Sequence, residues 1–133
     1  MTATYSVTAD PARDLVRVRL TGFLTPEAAA GFVRARNEAH RRLRCGPNRH
    51  VTVADVRDMA IQAQDVIERF QSMLADPAYR SRRLAIVTPS ALTRMQAQRA
   101  AGARDARFFT DLGEAEAWAL ETDSAGERGD LVA

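Results

Sequence analysis

The sequence predicts an α/β fold: a single small mixed sheet, with an N-terminal antiparallel hairpin and then parallel strands, flanked by about four helices. Three observations carry this. Val51-Thr52-Val53-Ala54-Asp55 and Leu84-Ala85-Ile86-Val87-Thr88 are short apolar runs rich in β-branched residues, the pattern of strands buried on both faces. Each is followed by a segment of helical character. Two alternating segments at the N-terminus form a hairpin with one wet face, so the chain opens in the order ββαβαβα, before a last short strand and a final helix.

Taken in order, Tyr5-Ser6-Val7-Thr8-Ala9 and Val16-Arg17-Val18-Arg19-Leu20 alternate about the turn cluster Asp10-Pro11-Ala12-Arg13-Asp14. Gly22 ends the hairpin. Thr25-Pro26-Glu27 opens a helix, with threonine as cap, proline at the first helical position and glutamate at the positive end of the dipole. Ala28, Phe32, Ala35, Ala39 and Leu43 form its expected apolar stripe, and Cys45-Gly46-Pro47-Asn48 stops it. The first buried strand spans about residues 50–55. Ala63, Val66, Ile67, Phe70, Met73 and Leu74 then recur at helical spacing until Asp76-Pro77. After the second buried strand, Ser90 is placed to cap a helix running to about Ala101, with Gly102 as its stop. That helix is weakly patterned, with Leu92 and Met95 as its large apolar residues. Ala106-Arg107-Phe108-Phe109 is a short last strand, and Asp111 to Glu114 opens a final helix through Trp118 and Leu120. Residues 1–121 form one domain, and 122–133 are a polar tail.

Composition narrows the chemistry. The 133 residues are 46% hydrophobic, enough for a real core, and no stretch approaches the roughly 20 apolar residues of a membrane span. The N-terminus lacks the basic start and apolar region of a secretion signal, and Cys45 is the single cysteine; both suit a cytoplasmic location. All 19 basic residues are arginine, so chemistry built on a P-loop, Schiff-base or kinase-type lysine is excluded. The net charge of +2 is unevenly placed: arginines 34, 36, 41, 42, 44 and 49 crowd one stretch, while seven acids and only Arg128 fall within residues 111–130. Such runs either face water or meet an oppositely charged neighbour. A salt-sensitive contact between the basic stretch and a neighbour's acidic C-terminal segment is one expectation. No aromatic residues interleave with the arginines, so nucleic-acid binding is not expected.

Ligand sites in sheets of this kind gather where the strands end. Asp55, Arg57, Asp58, Thr88 and Ser90 are therefore the candidate ligand pocket, with Arg57 as the anchor for a charge. The alternative is that Asp55 serves turn amides, Arg57 pairs with Asp58, and Ser90 only caps a helix. Leu92 and Met95, flanked by Arg94 and Arg99, are the candidate partner surface or else the core edge of a short helix. His40, Cys45 and His50 have no specific metal or nucleophile signature, so no metal, cofactor or catalytic set is assigned.

The hairpin ending Val18-Arg19-Leu20-Thr21-Gly22-Phe23-Leu24-Thr25, the strands Val53-Ala54-Asp55-Val56-Arg57 and Arg83-Leu84-Ala85-Ile86-Val87, and Phe108-Phe109-Thr110-Asp111 leading into Glu114-Ala115-Glu116-Ala117-Trp118 carry a family resemblance. Over residues ~5 to ~121 the pattern resembles STAS-like domains related to bacterial anti-sigma-factor antagonists, in their SpoIIAA-like branch. The resemblance implies a STAS/SpoIIAA-like sheet and no cofactor. Regulatory members are phosphorylated on a serine at the start of the helix after the central strand. The matching stretch here, Asp58-Met59-Ala60-Ile61-Gln62-Ala63-Gln64, has no serine or threonine. The expectation is a cytoplasmic, non-enzymatic binding or regulatory module acting through protein association, with itself as a homodimer or with another protein. Two alternatives remain: a carrier or sensor of a small apolar or amphipathic ligand beside Asp55 and Thr88, and an enzyme using Asp55 or Asp58 as general base.

Overall fold

A computed structural model describes residues 3–46, 48–102 and 106–121. Strands β1 (Thr4–Asp10), β2 (Leu15–Gly22), β3 (Val51–Met59), β4 (Arg83–Val87) and β5 (Arg107–Phe109) form one sheet in chain order. β1 and β2 are antiparallel and every later pair is parallel. Four helices accompany them: α1 (Pro26–His40), α2 (Gln64–Ala75), α3 (Ala91–Ala101) and α4 (Leu112–Ala119). A 3-10 turn, Pro77–Tyr79, lies between α2 and β4. Both buried strands and all four helices are those the sequence predicts. The tail at 122–133 lies outside the described residues.

The sheet steps always in one direction, so right-handed crossovers put α1, α2 and α3 on the same face. Val16, Val18, Leu20, Val56, Leu84 and Ile86 of the sheet meet Ala29, Phe32, Val66, Ile67, Phe70, Ala97 and Ala100 of those helices in the larger core. Among the described residues α4 alone covers the other face, where Ala115 and Ala119 pack on Leu15, Val51, Val53, Ala85 and Val87. Alternation along β2 splits it between the two faces: Val16, Val18 and Leu20 point to the large core, and Arg17 reaches Glu116 of α4. α4 packs on β3, β4 and β5 and leaves the hairpin side of its face open. Ion pairs occupy that open area, including Arg17 with Glu116 at 3.0 Å and Arg17 with Asp10 at 3.5 Å.

The caps are local and legible. Thr25 accepts from the Ala28 amide, Ser90 from Thr93 and Asp111 from Glu114. Two boundaries differ from expectation. β3 runs to Met59 rather than ending near Asp55, because a bulge opposite Arg19 and Thr21 inserts an extra residue and lets pairing with β2 continue. The buried stripe of α1 is Ala29, Phe32, Arg36 and Ala39. Position 36 is filled by arginine, so a count of apolar residues slips onto Ala28 and Ala35.

Candidate functional site

At the C-terminal ends of the strands the bulge in β3 sets Asp55 and Asp58 beside Arg19 of β2. Asp55 is buried, and its carboxylate takes both arms of Arg57: Nε to Oδ1 and Nη2 to Oδ2, each at 2.9 Å. The Arg57 amide adds a third bond at 3.1 Å. The hydrogen bonds from Arg57 hold the Asp55 carboxyl below its ordinary value of 3.8 despite burial. The expected Arg57–Asp58 ion pair is replaced: Arg57 engages Asp55, and Asp58 engages Arg19. A general base needs a raised pKa and a free lone pair. Asp55 has the opposite shift, and Asp58 is exposed and ion-paired, so neither has the setting of a base.

Thr88 and Ser90 do not join this cluster through any hydrogen bond. Thr88 is buried, with its amide donating to the Phe109 carbonyl, while Ser90 caps α3. An apolar cavity lies under α1, α2 and α3, and Asp55, Arg57, Asp58, Thr88 and Ser90 are not among the residues that line it. It has a volume of about 100 Å³. Leu20, Ala54, Val56, Phe70, Ala97 and Ala100 are among its walls. Arg36, His40, Tyr79, Arg80 and Ser81 line it as well. The last three of these precede β4, at the N-terminal end of the parallel strands. Small side chains explain the space: Ala97 and Ala100 of α3 face Ala54 of β3, where larger residues would fill the layer.

A glutamine clasp joins the loops at the C-terminal end of the sheet. Gln62 is buried; its Oε1 accepts from the Leu24 amide at 2.8 Å, and its Nε2 donates to the carbonyls of Gly22 and Ala60. Gln96 of α3 reaches back to the Gln62 backbone, accepting from its amide at 2.8 Å and donating to its carbonyl at 2.9 Å. The clasp ties the loop after β2, the loop after β3 and α3 together. Large apolar residues on these three segments face solvent: Phe23 is 50% exposed, Ile61 43%, Leu92 62% and Met95 61%. The outward position of Leu92 and Met95 follows from what α3 buries instead, Thr93, Gln96, Ala97, Ala100 and Ala101. Arg94 lies 5.4 Å from the centre of the Phe108 ring, and Arg99 is exposed. Phe23, Ile61, Gln62 and Gln96 escape a sequence reading because their placement depends on two loops and a helix converging.

His40, Cys45 and His50 do converge, lining a second cleft of about 230 Å³ with Asn48 and Tyr79. The His40 and His50 rings lie 4.1 Å apart. Burial, His50 and Arg36 together push the His40 imidazole down to about 3. Burial and Asp14 push the Cys45 thiol up, away from the thiolate a nucleophile requires. Among the described residues no group of three or more His, Cys, Asp or Glu side chains is placed to hold a metal ion. Of the crowded arginines, 34, 41, 42, 44 and 49 are exposed, whereas Arg36 is buried. No described helix is long and apolar enough to cross a membrane.

A mixed five-stranded sheet with an antiparallel first pair, three helices on one face and one on the other defines a SpoIIAA-like α/β fold, the architecture of STAS-like domains. Solved structures agree. An uncharacterised protein from Shewanella loihica with a SpoIIAA-like fold superposes with a TM-score of 0.70 at 16% identity, covering 90% of this chain and 96% of that one. An anti-sigma factor antagonist from Mycobacterium paratuberculosis superposes with a TM-score of 0.62 at 12% identity, over the same shares of the two chains. At these identities the likeness is one of fold. No protein-family model matches the sequence, and no curated protein matches it.

Proposed function

We propose that this protein is a non-enzymatic regulatory binding module that works by protein association, with a second copy of itself as the partner. The observation that carries this is the exposed apolar group Phe23, Ile61, Leu92 and Met95, mounted on segments that the Gln62–Gln96 clasp holds in place. A large apolar group on a rigid base is what an interface core requires, since little order is lost on docking. The fold shared with an anti-sigma factor antagonist supports a regulatory, protein-binding role. Sedimentation of the full chain tests it. A dimer is expected at tens of micromolar, with a monomer for the Leu92→Glu/Met95→Glu variant at unchanged melting temperature. A wild-type monomer across that range overturns the reading.

The apolar cavity favours a second reading, a carrier or sensor of a small apolar or amphipathic ligand, seated under the three helices rather than beside Asp55. The two readings are compatible, because α3 contributes to both the cavity and the exposed group.

A further inference from the structure

Arg36 lies within the apolar layer with only 6% of its surface exposed. Its Nη1 donates to the Tyr79 carbonyl and its Nη2 to the Met73 carbonyl, each at 3.2 Å. The guanidinium lies 5.2 Å from the centre of the Tyr79 ring. Nε is buried and has no hydrogen-bond partner among the described residues. Among the described residues no carboxylate stands within ion-pair distance, and Asp76, which caps the 3-10 turn, acts on the group only through space. Guanidinium groups stay protonated in proteins. A fixed positive charge has therefore been taken out of water and met only by carbonyls and an aromatic ring, an arrangement that costs stability unless an anion completes it. The same side chain lines the apolar cavity.

We propose that this cavity binds a short-chain amphipathic anion, with its carboxylate on Arg36 and its hydrocarbon tail against Phe32, Phe70, Leu84 and Ile86. The proposal rests on the ligand-binding reading above and names the ligand class for it. Arg57, the anchor expected from the sequence, already has its charge met by the two bonds it donates to Asp55 and stands at the other end of the sheet. Size limits the tail. About 100 Å³ corresponds to roughly three or four water-sized groups, so a tail of about four carbons fits.

Pentanoate and pentan-1-ol share that tail and differ in charge. Titrating each into the full chain, with amide shifts followed by NMR, separates the two levels of the argument. Pentanoate is expected to bind about tenfold or more tighter, the range of a hydrogen-bonded charge, with shifts at Phe70, Leu84 and Ala97. Arg36→Met is expected to bring the ratio to about one, and Arg57→Gln to leave it unchanged. Equal affinities in the wild type, or tighter binding of the alcohol, overturn the anion proposal while the cavity reading stands. Binding of neither molecule overturns both. A preference that persists in Arg36→Met and disappears in Arg57→Gln places the anion at the other end and also overturns it. If Arg36→Met does not fold, the wild-type ratio together with Arg36→Lys, which keeps the charge, decides the matter.

Discussion

Replacing Gln62 with methionine keeps the side-chain volume nearly constant and removes only hydrogen bonds. Three are lost: from the Leu24 amide, and to the carbonyls of Gly22 and Ala60. Ala60 is exposed, so its carbonyl regains water and contributes little. The Gly22 carbonyl keeps its bond from the Ala60 amide at 3.0 Å, whereas Leu24, 1% exposed, is left with a dry, unpaired amide. At roughly 1–3 kcal/mol for a buried unsatisfied group, the variant should lose about 2 kcal/mol. That is a large part of the 5–15 kcal/mol typical of a domain. Urea unfolding reads it directly. With a slope of about 1–3 kcal/mol/M, the midpoint should fall by about 0.7–2 M with the slope unchanged. The partner bonds run from Gln96 to the backbone of residue 62, so Gln96→Met should also destabilise, and the two losses should couple. A loss under about 0.5 kcal/mol in Gln62→Met would refute the claim that the clasp holds the loops carrying Phe23 and Ile61.

Acid stability follows from the two carboxylates that arginines hold low, Asp55 by Arg57 and Glu116 by Arg17. The unfolded chain binds protons at higher pH than the folded one, so their contribution is full above the unfolded values and fades as pH falls through the folded ones. Below about pH 4, Asp55→Asn and Glu116→Gln should each flatten the decline of stability with acid, and an unchanged slope would refute the pairing. His40, held down to about 3, should show no titration of its ring proton shifts between pH 5 and 8, and an inflection near 6.5 would contradict its buried setting. Ile67 is 2% exposed in the large core, so Ile67→Ala should cost about 2–5 kcal/mol in chemical unfolding, and a loss below 1 kcal/mol would mean that α2 is not anchored there.

The strands and helices were legible because their signals are local. Val51 to Asp55 and Leu84 to Thr88 are apolar on both faces because each strand is covered from both sides, which a run of β-branched residues records directly. Ser90 and Asp111 were recognisable as caps because a cap bonds an amide three residues away. The candidate site was legible only in part. Asp55, Arg57 and Asp58 do share one end of the sheet, but the bulge in β3 re-pairs them through Arg19, a residue about 36 positions from Asp55 along the chain. Leu92 and Met95 stood out as misplaced apolar residues on a weakly patterned helix. Phe23 and Ile61, which join them at the same end of the sheet, did not.

By itself the sequence determined the element order, the hairpin, the caps and the absence of lysine chemistry, since these follow from periodicity, nearest-neighbour hydrogen bonds and composition. Only the tertiary structure decided that the apolar cavity lies under α1, α2 and α3, that Arg36 is buried in its wall with no carboxylate beside it among the described residues, and that Gln62 and Gln96 lock two loops to α3. The physical reason is the same in each case. Whether a charge is neutralised, a hydrogen bond is completed or a space is filled depends on what a second and a third element bring to the same point, and residues 36, 62, 79 and 96 carry no mark in the chain that they will meet.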